Sequence, residues 1–305
     1  MSDKTHLVSV VLCTLELNDK VQKCLESISI QTYKNFELIV VFKYGKIEKE
    51  LLDRLFGESI KIRTIKQDQG KLSDARNLGL DSVKGQYVTF IDGDDVVKSN
   101  HLEVLIREMK NNVDAVFSTP NLIGNFKPEE YKYFSIHTTG IYTVDLKFIL
   151  ETPVVIWGKL FKRDIIKKAK ICFPSNVIFE DNYFHWAYLS QASRVYLTKE
   201  KTYSYIKNEG SLMYSLKTCC GNKGLDNLKV LDYIVEFLIV NKRLDIITYQ
   251  LFRKYYIDAT RFIDYKYYKE RDRMFIYTLN KLPKGKRFCI VAQLFFRGYF
   301  SGFKS

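Results

Sequence analysis

Thr89-Phe90-Ile91-Asp92-Gly93-Asp94-Asp95 is the stretch on which the fold turns. An apolar run through Tyr87, Val88, Phe90 and Ile91 stops at three carboxylates around one glycine. Short runs of β-branched and aromatic residues read as buried strands. Open α/β sheets bind ligands just beyond the carboxyl ends of such strands. Gly93 lets the backbone turn and keeps side-chain bulk away from a ligand. Clustered carboxylates repel one another, so a cation is their natural neutraliser, and hard oxygen ligands suit Mg²⁺ or Mn²⁺. A solvated Asp-Gly turn is the plain alternative, and these residues alone do not choose.

Upstream, residues 7–14 form a nearly continuous apolar strand, as a parallel strand buried on both faces should. Asn18 or Asp19 caps a helix running to about Gln31, with Val21, Leu25 and Ile28 on one face. Strands follow at Phe36–Phe42 and Ile60–Ile65, with a helix at Lys46–Phe56 between them. A polar loop spans 66–72, and Ser73 caps a short helix ending near Gly85. Downstream come a helix at 100–110, a strand at 115–118 and a long loop region at 120–140. An aromatic helix follows Glu180-Asp181, and strands are expected at 194–197 and 203–206. From Leu225 onward apolar residues recur at helical spacing, with a break at Pro283-Lys284-Gly285. Alternating strands and helices predict a doubly wound α/β sheet, mostly parallel and flanked by helices, with a C-terminal helical subdomain.

The 305 residues hold 46% hydrophobic and 27% charged side chains, an ordinary globular balance. The net charge of +13 is unevenly placed: residues 241–305 carry 15 basic and 5 acidic side chains. Such an end attracts polyanions. The six cysteines show no metal or disulfide spacing, which fits a reducing cytoplasm. Cys13 and Cys24 read as core, and the vicinal Cys219-Cys220 pair has no assigned role. No signal peptide is visible, and no apolar run is long enough to span a bilayer.

With these pieces in order, the chain resembles the bacterial family-2 glycosyltransferases of GT-A (Rossmann-like) fold. The resemblance rests on Val8–Thr14, Cys24–Val41, Ser73–Leu80, Gly85–Asp95, Trp157–Arg163, Phe179-Glu180-Asp181, and Tyr203-Ser204-Tyr205 through Gly210-Ser211. It covers residues 7 to about 213. It implies a catalytic nucleotide-sugar domain over 1–215, with a basic helical region over 216–305 beyond it. The implied reaction moves a sugar from a nucleotide-sugar donor to a hydroxyl with inversion. The implied acceptor is a cell-surface glycan, a lipid-linked oligosaccharide or a teichoic-acid-like polymer.

Asp94 matches the family's metal-contacting position and Asp92 the one near the ribose. A divalent ion, Mn²⁺ or Mg²⁺, neutralises the diphosphate leaving group. Arg76 matches a position near the nucleotide, where a guanidinium can bond phosphate or base. Thr14, Asp68 and Gly93 complete the candidate donor-binding set. Asp181 matches the general base that deprotonates the acceptor, with Glu180 beside it. A helix N-terminus favouring acidic residues is the structural alternative for that pair. His185 and Trp157 read at least as readily as core residues.

One departure stands out. The family's second strand ends in an acidic pair that reads the base, and here Phe42-Lys43 stands in its place. Phe42 could stack and Lys43 could meet phosphate, but neither accepts a bond from a uracil ring nitrogen. A UDP-sugar remains the expected donor, with looser base discrimination. The departure also raises a catalytically silent sugar-nucleotide-binding subunit that supports a partner transferase. Nucleic-acid binding finds no motif. A nucleotidyltransferase is disfavoured because Thr14-Leu15-Glu16-Leu17 lacks a Gly-rich phosphate loop. The basic, aromatic C-terminal segment (Phe288–Phe300, preceded by Lys281, Lys284, Lys286 and Arg287) predicts either peripheral docking on anionic membrane or packing in a helical subdomain or homo-oligomer.

Overall fold

The computed structural model describes residues 6–136, 138–207 and 221–296. Gly210-Ser211, Cys219-Cys220 and the end of the 288–300 run lie outside the described residues. The chain forms two compact units. One is Met1–Asn176 with Gln191–Asn208, and the other is Val177–Ser190 with Glu209–Ser305.

The first unit is built on a nine-stranded sheet. Its strands are β1 (Val8–Thr14), β2 (Phe36–Phe42), β3 (Lys61–Lys66), β4 (Tyr87–Asp92), β5 (Val96–Val97), β6 (Ala115–Ile123), β7 (Gly140–Thr143), β8 (Lys159–Lys162) and β9 (Arg194–Ile206). The order is β3-β2-β1-β4-β8-β6-β9-β5, with β7 on β9. The β3-β2-β1-β4 half is wholly parallel. β8 enters antiparallel between β4 and β6 and makes the whole sheet mixed. The β1 and β2 runs are apolar because both faces are covered, and nearly every residue of each is buried.

Helices α1 (Asp19–Ser29), α2 (Lys49–Phe56), α3 (Leu72–Ser82), α4 (His101–Met109), α5 (Pro128–Phe134), α6 (Leu146–Glu151) and α7 (Arg163–Lys168) connect the strands. Asn18 caps α1, its side chain accepting from the Lys20 and Val21 amides. α3 starts earlier than expected. Lys71 is its N-cap residue, and the Lys71 N–H donates to Asp74 Oδ2 at 2.8 Å. Ser73 lies within the first turn, buried. Gly85 before β4 has a packing reason: a Cβ there would sit 2.6 Å from the Leu7 carbonyl oxygen. Buried Glu37 accepts from Ser9 Oγ and the Lys84 amide, each at 2.6 Å, and from the Gly85 amide at 3.2 Å.

The region expected as loop at 120–140 holds the end of β6 and the short α5. The two strands expected at 194–197 and 203–206 are one strand, β9, with a register shift opposite Ser118 and Pro120. The second unit contains α8 (Glu180–Gln191) up to Ser190, α9 (Leu225–Val240), α10 (Tyr249–Arg261), α11 (Tyr268–Asn280) and α12 (Lys284–Phe296). Its core includes Leu228, Leu231, Phe252, Tyr255, Phe275 and Leu294.

Candidate functional site

The acidic loop leaves β4 at Asp92, at the carboxyl edge of the parallel half. β1 ends beside it, with Cys13 in register with Asp92. Gly93 is needed there for space. A Cβ on it would meet the Thr14 Cβ at 3.1 Å and the Val21 Cγ2 at 3.3 Å. Thr14 is therefore seated against the loop, its hydroxyl donating to the Glu16 carbonyl at 3.0 Å.

Arg76 reaches this point from α3. Its guanidinium meets Asp92 Oδ1 at 3.2 Å, buried, with the Phe173 ring at 5.6 Å. Asn77, next on α3, accepts from the Phe173 N–H at 2.7 Å and donates back to its carbonyl at 2.8 Å, which fixes the ring's segment. Asp92 is partly open, with 27% of its side chain accessible, and Asp94 is exposed. A carboxylate pair at a strand end, one member held by a buried guanidinium, fits a hard divalent ion that completes its shell with water and substrate phosphate. No group of three or more His, Cys, Asp and Glu that could hold a metal occurs among the described residues. Asp92 and Asp94 would hold such an ion, with the ligand's own oxygens completing the shell.

Asp95 does different work. It is fully buried, accepting from the Tyr203 hydroxyl at 2.7 Å and the Ile206 amide at 2.8 Å. Burial, then the Asp92 charge, pushes its carboxyl up to about 8 against those two donors. The Tyr203 hydroxyl also accepts from the Asp92 N–H at 3.2 Å, so one tyrosine on β9 fastens both ends of the loop. No pattern in the sequence gives Tyr203 this role. Its only signal was its place in Tyr203-Ser204-Tyr205.

Asp68 stands exposed in the loop after β3, at the same carboxyl edge. That loop is tied to the end of β2, since Lys43 Nζ donates to the Gly70 carbonyl at 3.0 Å. Phe42 is buried in the core, not presented for stacking. Trp157 is likewise core. It stacks on Tyr203 at 4.9 Å and 9° and on Tyr205 at 4.9 Å.

Trp157 also floors a cavity of about 730 Å³ in the same unit, walled by Tyr133, Tyr142, Phe148 and Lys159. Lys159 is almost wholly buried. Its Nζ donates to the Pro153 carbonyl at 2.5 Å and sits 4.1 Å from the Phe117 ring centre. An aromatic-walled cavity with a few placed polar groups is the usual form of a small-ligand site.

Glu180 and Asp181 open α8 in the second unit. Glu180 is buried and Asp181 half-buried. Asp181 Oδ1 accepts from the Asn182 amide at 2.9 Å. Phe179 just before them has φ +70°, a left-handed backbone that a phenylalanine rarely adopts. Its ring meets Phe262 at 6.2 Å, and the Ile178 amide donates to Asp226 Oδ2 at 2.9 Å. The strained turn is thus held on both sides, as a backbone in this region must be to persist. His185 is buried one turn along.

The model of glycosyl transferase family 2 matches residues 9–184. The glycosyltransferase EpsJ of Bacillus subtilis (strain 168), itself uncharacterised, is 29% identical over 219 residues, covering 68% of this chain and 62% of EpsJ. The chain thus spans less than two thirds of that relative. The poly(ribitol-phosphate) beta-N-acetylglucosaminyltransferase TarP of Staphylococcus aureus (strain N315) is 26% identical over 224 residues, covering 71% of this chain and 68% of TarP. Among solved structures, S. aureus TarS 1–349 in complex with UDP-GlcNAc superposes with a TM-score of 0.73 at 17% identity, over 94% of this chain and 84% of that one. At that identity the superposition speaks for the fold alone, a large central sheet flanked by helices. The match to residues 9–184 takes in more than half of the chain, and with it the protein belongs to glycosyl transferase family 2.

Proposed function

We propose that the chain transfers a sugar, with inversion, from a UDP-sugar to a hydroxyl of a surface glycan, a lipid-linked oligosaccharide or a teichoic-acid-like polymer. The observation that carries this reading is the braced loop: Asp92 held by Arg76, Gly93 against Thr14, and Asp94 left accessible. TarS binding UDP-GlcNAc and TarP acting on poly(ribitol-phosphate) support the choice of donor and acceptor.

When bound, Mn²⁺ or Mg²⁺ supplies charge to the departing diphosphate. Asp94 and Asp92 position it, and Asp92 also faces the ribose. Arg76 adds a fixed positive charge beside the nucleotide. Asp181 takes the proton from the acceptor hydroxyl, with Glu180 beside it. Asp68 contributes to the donor edge from its loop. The Trp157 and Lys159 cavity takes rings of the acceptor. Residues 1–215 carry donor binding and the catalytic groups, and 216–305 form the basic region, which meets the anionic inner face of the cell membrane from the cytoplasm. A catalytically silent donor-binding subunit is the competing reading, favoured by one observation, the buried Phe42 where a base-reading carboxylate would stand.

Two variants test the proposal with UDP-GlcNAc as the probe and Mn²⁺ present. Asp94→Ala should lose both turnover and the thermal stabilisation that the donor gives the wild type. Asp181→Asn should keep that stabilisation and lower kcat by about 10²-fold or more. UDP release at the wild-type rate by either variant removes that residue's role. Donor binding by a wild type that turns over no acceptor in a cell-envelope glycan extract selects the silent subunit.

A further inference from the structure

The helical unit holds a second cavity, of about 350 Å³, remote in chemistry from the acidic loop. Arg253 and Arg261 of α10 and Arg271 of α11 line it, and Ile257, Phe275 and Leu294 form an apolar wall. The Phe275 and Leu294 side chains are otherwise buried, so this wall is continuous with the unit's core.

Arg271 is set in place before any ligand arrives. Its guanidinium lies between the Tyr256 and Tyr268 rings, 4.4 and 4.3 Å from their centres. Its Nε donates to Asp272 Oδ1 at 2.8 Å and its Nη1 to Thr260 Oγ1 at 3.0 Å. Only 8% of its side chain is accessible. Arg261, by contrast, has 68% of its side chain in solvent and pairs with Asp258 at 3.4 Å.

Charge on the three helices is lopsided. α10, α11 and α12 carry nine basic residues (Arg253, Lys254, Arg261, Lys269, Arg271, Arg273, Lys284, Lys286 and Arg287) against Asp258, Glu270 and Asp272. Asp258 is shared between Lys254 and Arg261, and Asp272 is taken by Arg271. Guanidiniums gathered on one cavity repel each other, and an anion with several acceptor oxygens relieves that repulsion. Their planar forks match the oxygens of phosphate. The apolar wall then favours a phosphate joined to a hydrocarbon portion.

We propose that this cavity binds the phosphate group of a phosphate-bearing ligand. The assignment stands apart from the donor-site reading, because every residue in it lies beyond the region that matches the family model. Two probes separate the sources of the phosphate. Inorganic phosphate at constant ionic strength reports the anion itself, by thermal shift against chloride. Vesicles of phosphatidylglycerol, against phosphatidylcholine, report a lipid headgroup.

The variants are Arg253→Gln, Arg261→Gln and Arg271→Lys in the full chain. Arg261 is largely solvated, so its replacement leaves packing intact, and retained UDP-GlcNAc binding checks the fold and the donor site separately. Saturable stabilisation by phosphate, weakened about tenfold in Arg261→Gln or Arg253→Gln, supports the site. Weakening in Arg271→Lys, which keeps the charge and loses the fork, supports the geometry. Parallel loss of phosphatidylglycerol binding identifies a lipid headgroup, and phosphate binding without it identifies a soluble phosphate compound. No phosphate response in the wild type, or an equal response in Arg261→Gln and Arg253→Gln, overturns the proposal.

Discussion

Tyr203 shows how much rests on one hydroxyl. It donates to Asp95 and accepts from the Asp92 amide, while its ring stacks on Trp157. Tyr203→Phe keeps the ring and removes only the oxygen. We expect a stability loss of about 1 to 3 kcal/mol, since Asp95 loses a donor in a dry site, and a higher KM for the donor. An unchanged urea midpoint and an unchanged KM would show that the loop holds its shape without the tyrosine. His101 gives a pH signature. Burial holds its ring neutral down to about 3, against an ordinary value of 6.5, and its Nδ1 lies 2.7 Å from Thr202 Oγ1. Below 6.5 the unfolded chain takes up a proton that the folded chain refuses, so this residue's contribution falls as pH falls. Asp95, raised to about 8, has the opposite sign over the same interval. His101→Gln in chelator isolates the first effect. Relative to wild type it should gain about 1.4 kcal/mol in all between pH 7.5 and 5.5, approaching about 1.4 kcal/mol per pH unit only below that window. A constant difference between the two proteins across pH 7.5 to 5.5 would contradict it.

Elements differed in how plainly the sequence spelled them. β1 and β2 were legible to within a residue because both are covered on both faces, which leaves an uninterrupted apolar run. The acidic loop was legible because carboxylates after such a run are rare without a reason. α5 was not, because none of its residues is buried and so it has no apolar period to show. β9 looked like two strands because Lys199, Glu200 and Lys201 are exposed where the pairing shifts register. That Asp95 orients the loop could be read from its place beside the cluster, but its partner Tyr203 could not, because it lies 108 residues away. For α12 the pattern left two readings, and the structure narrows the experiment that separates them. Ile290 and Leu294 are buried in the helical unit, while Phe288 and Val291 face outward, with Phe288 74% exposed. Cutting the helix away would therefore damage packing whichever reading holds. Phe288→Ser with Val291→Ser should leave the thermal midpoint in place and weaken binding to anionic vesicles by at least several-fold, since full insertion of each side chain is worth about 1.5 to 3 kcal/mol. Equal vesicle binding by the double variant would place the contact elsewhere.

At the scale of the whole molecule, the two compact units divide the proposed chemistry. Arg76, Asp92 and Asp94 belong to the sheet unit, Glu180 and Asp181 to the helical one. The sheet unit in turn has a middle that arrives late. β8 spans only Lys159–Lys162, yet it lies between β4 and β6, whose residues precede it in the chain. During synthesis β3, β2, β1 and β4 can pair as soon as residue 92 has emerged. β6 emerges next with neither of its neighbours yet made, since β9 comes later still. For that interval β4 and β6 each show an unpaired edge lined by apolar side chains such as Val88 and Val116, the kind of edge that recruits other strands. Such late, non-local closure makes folding slow and exposes the intermediate to aggregation. A ribosome-held chain ending at 158 should be digested readily beyond residue 92 and bind a holdase chaperone, whereas one extended past 206 should resist both. Equal protection of the two nascent chains would mean that β6 finds shelter by another route. With the expected difference in protection, a four-residue strand sets the pace at which the cell obtains this protein, and cold or rapid translation is felt there first.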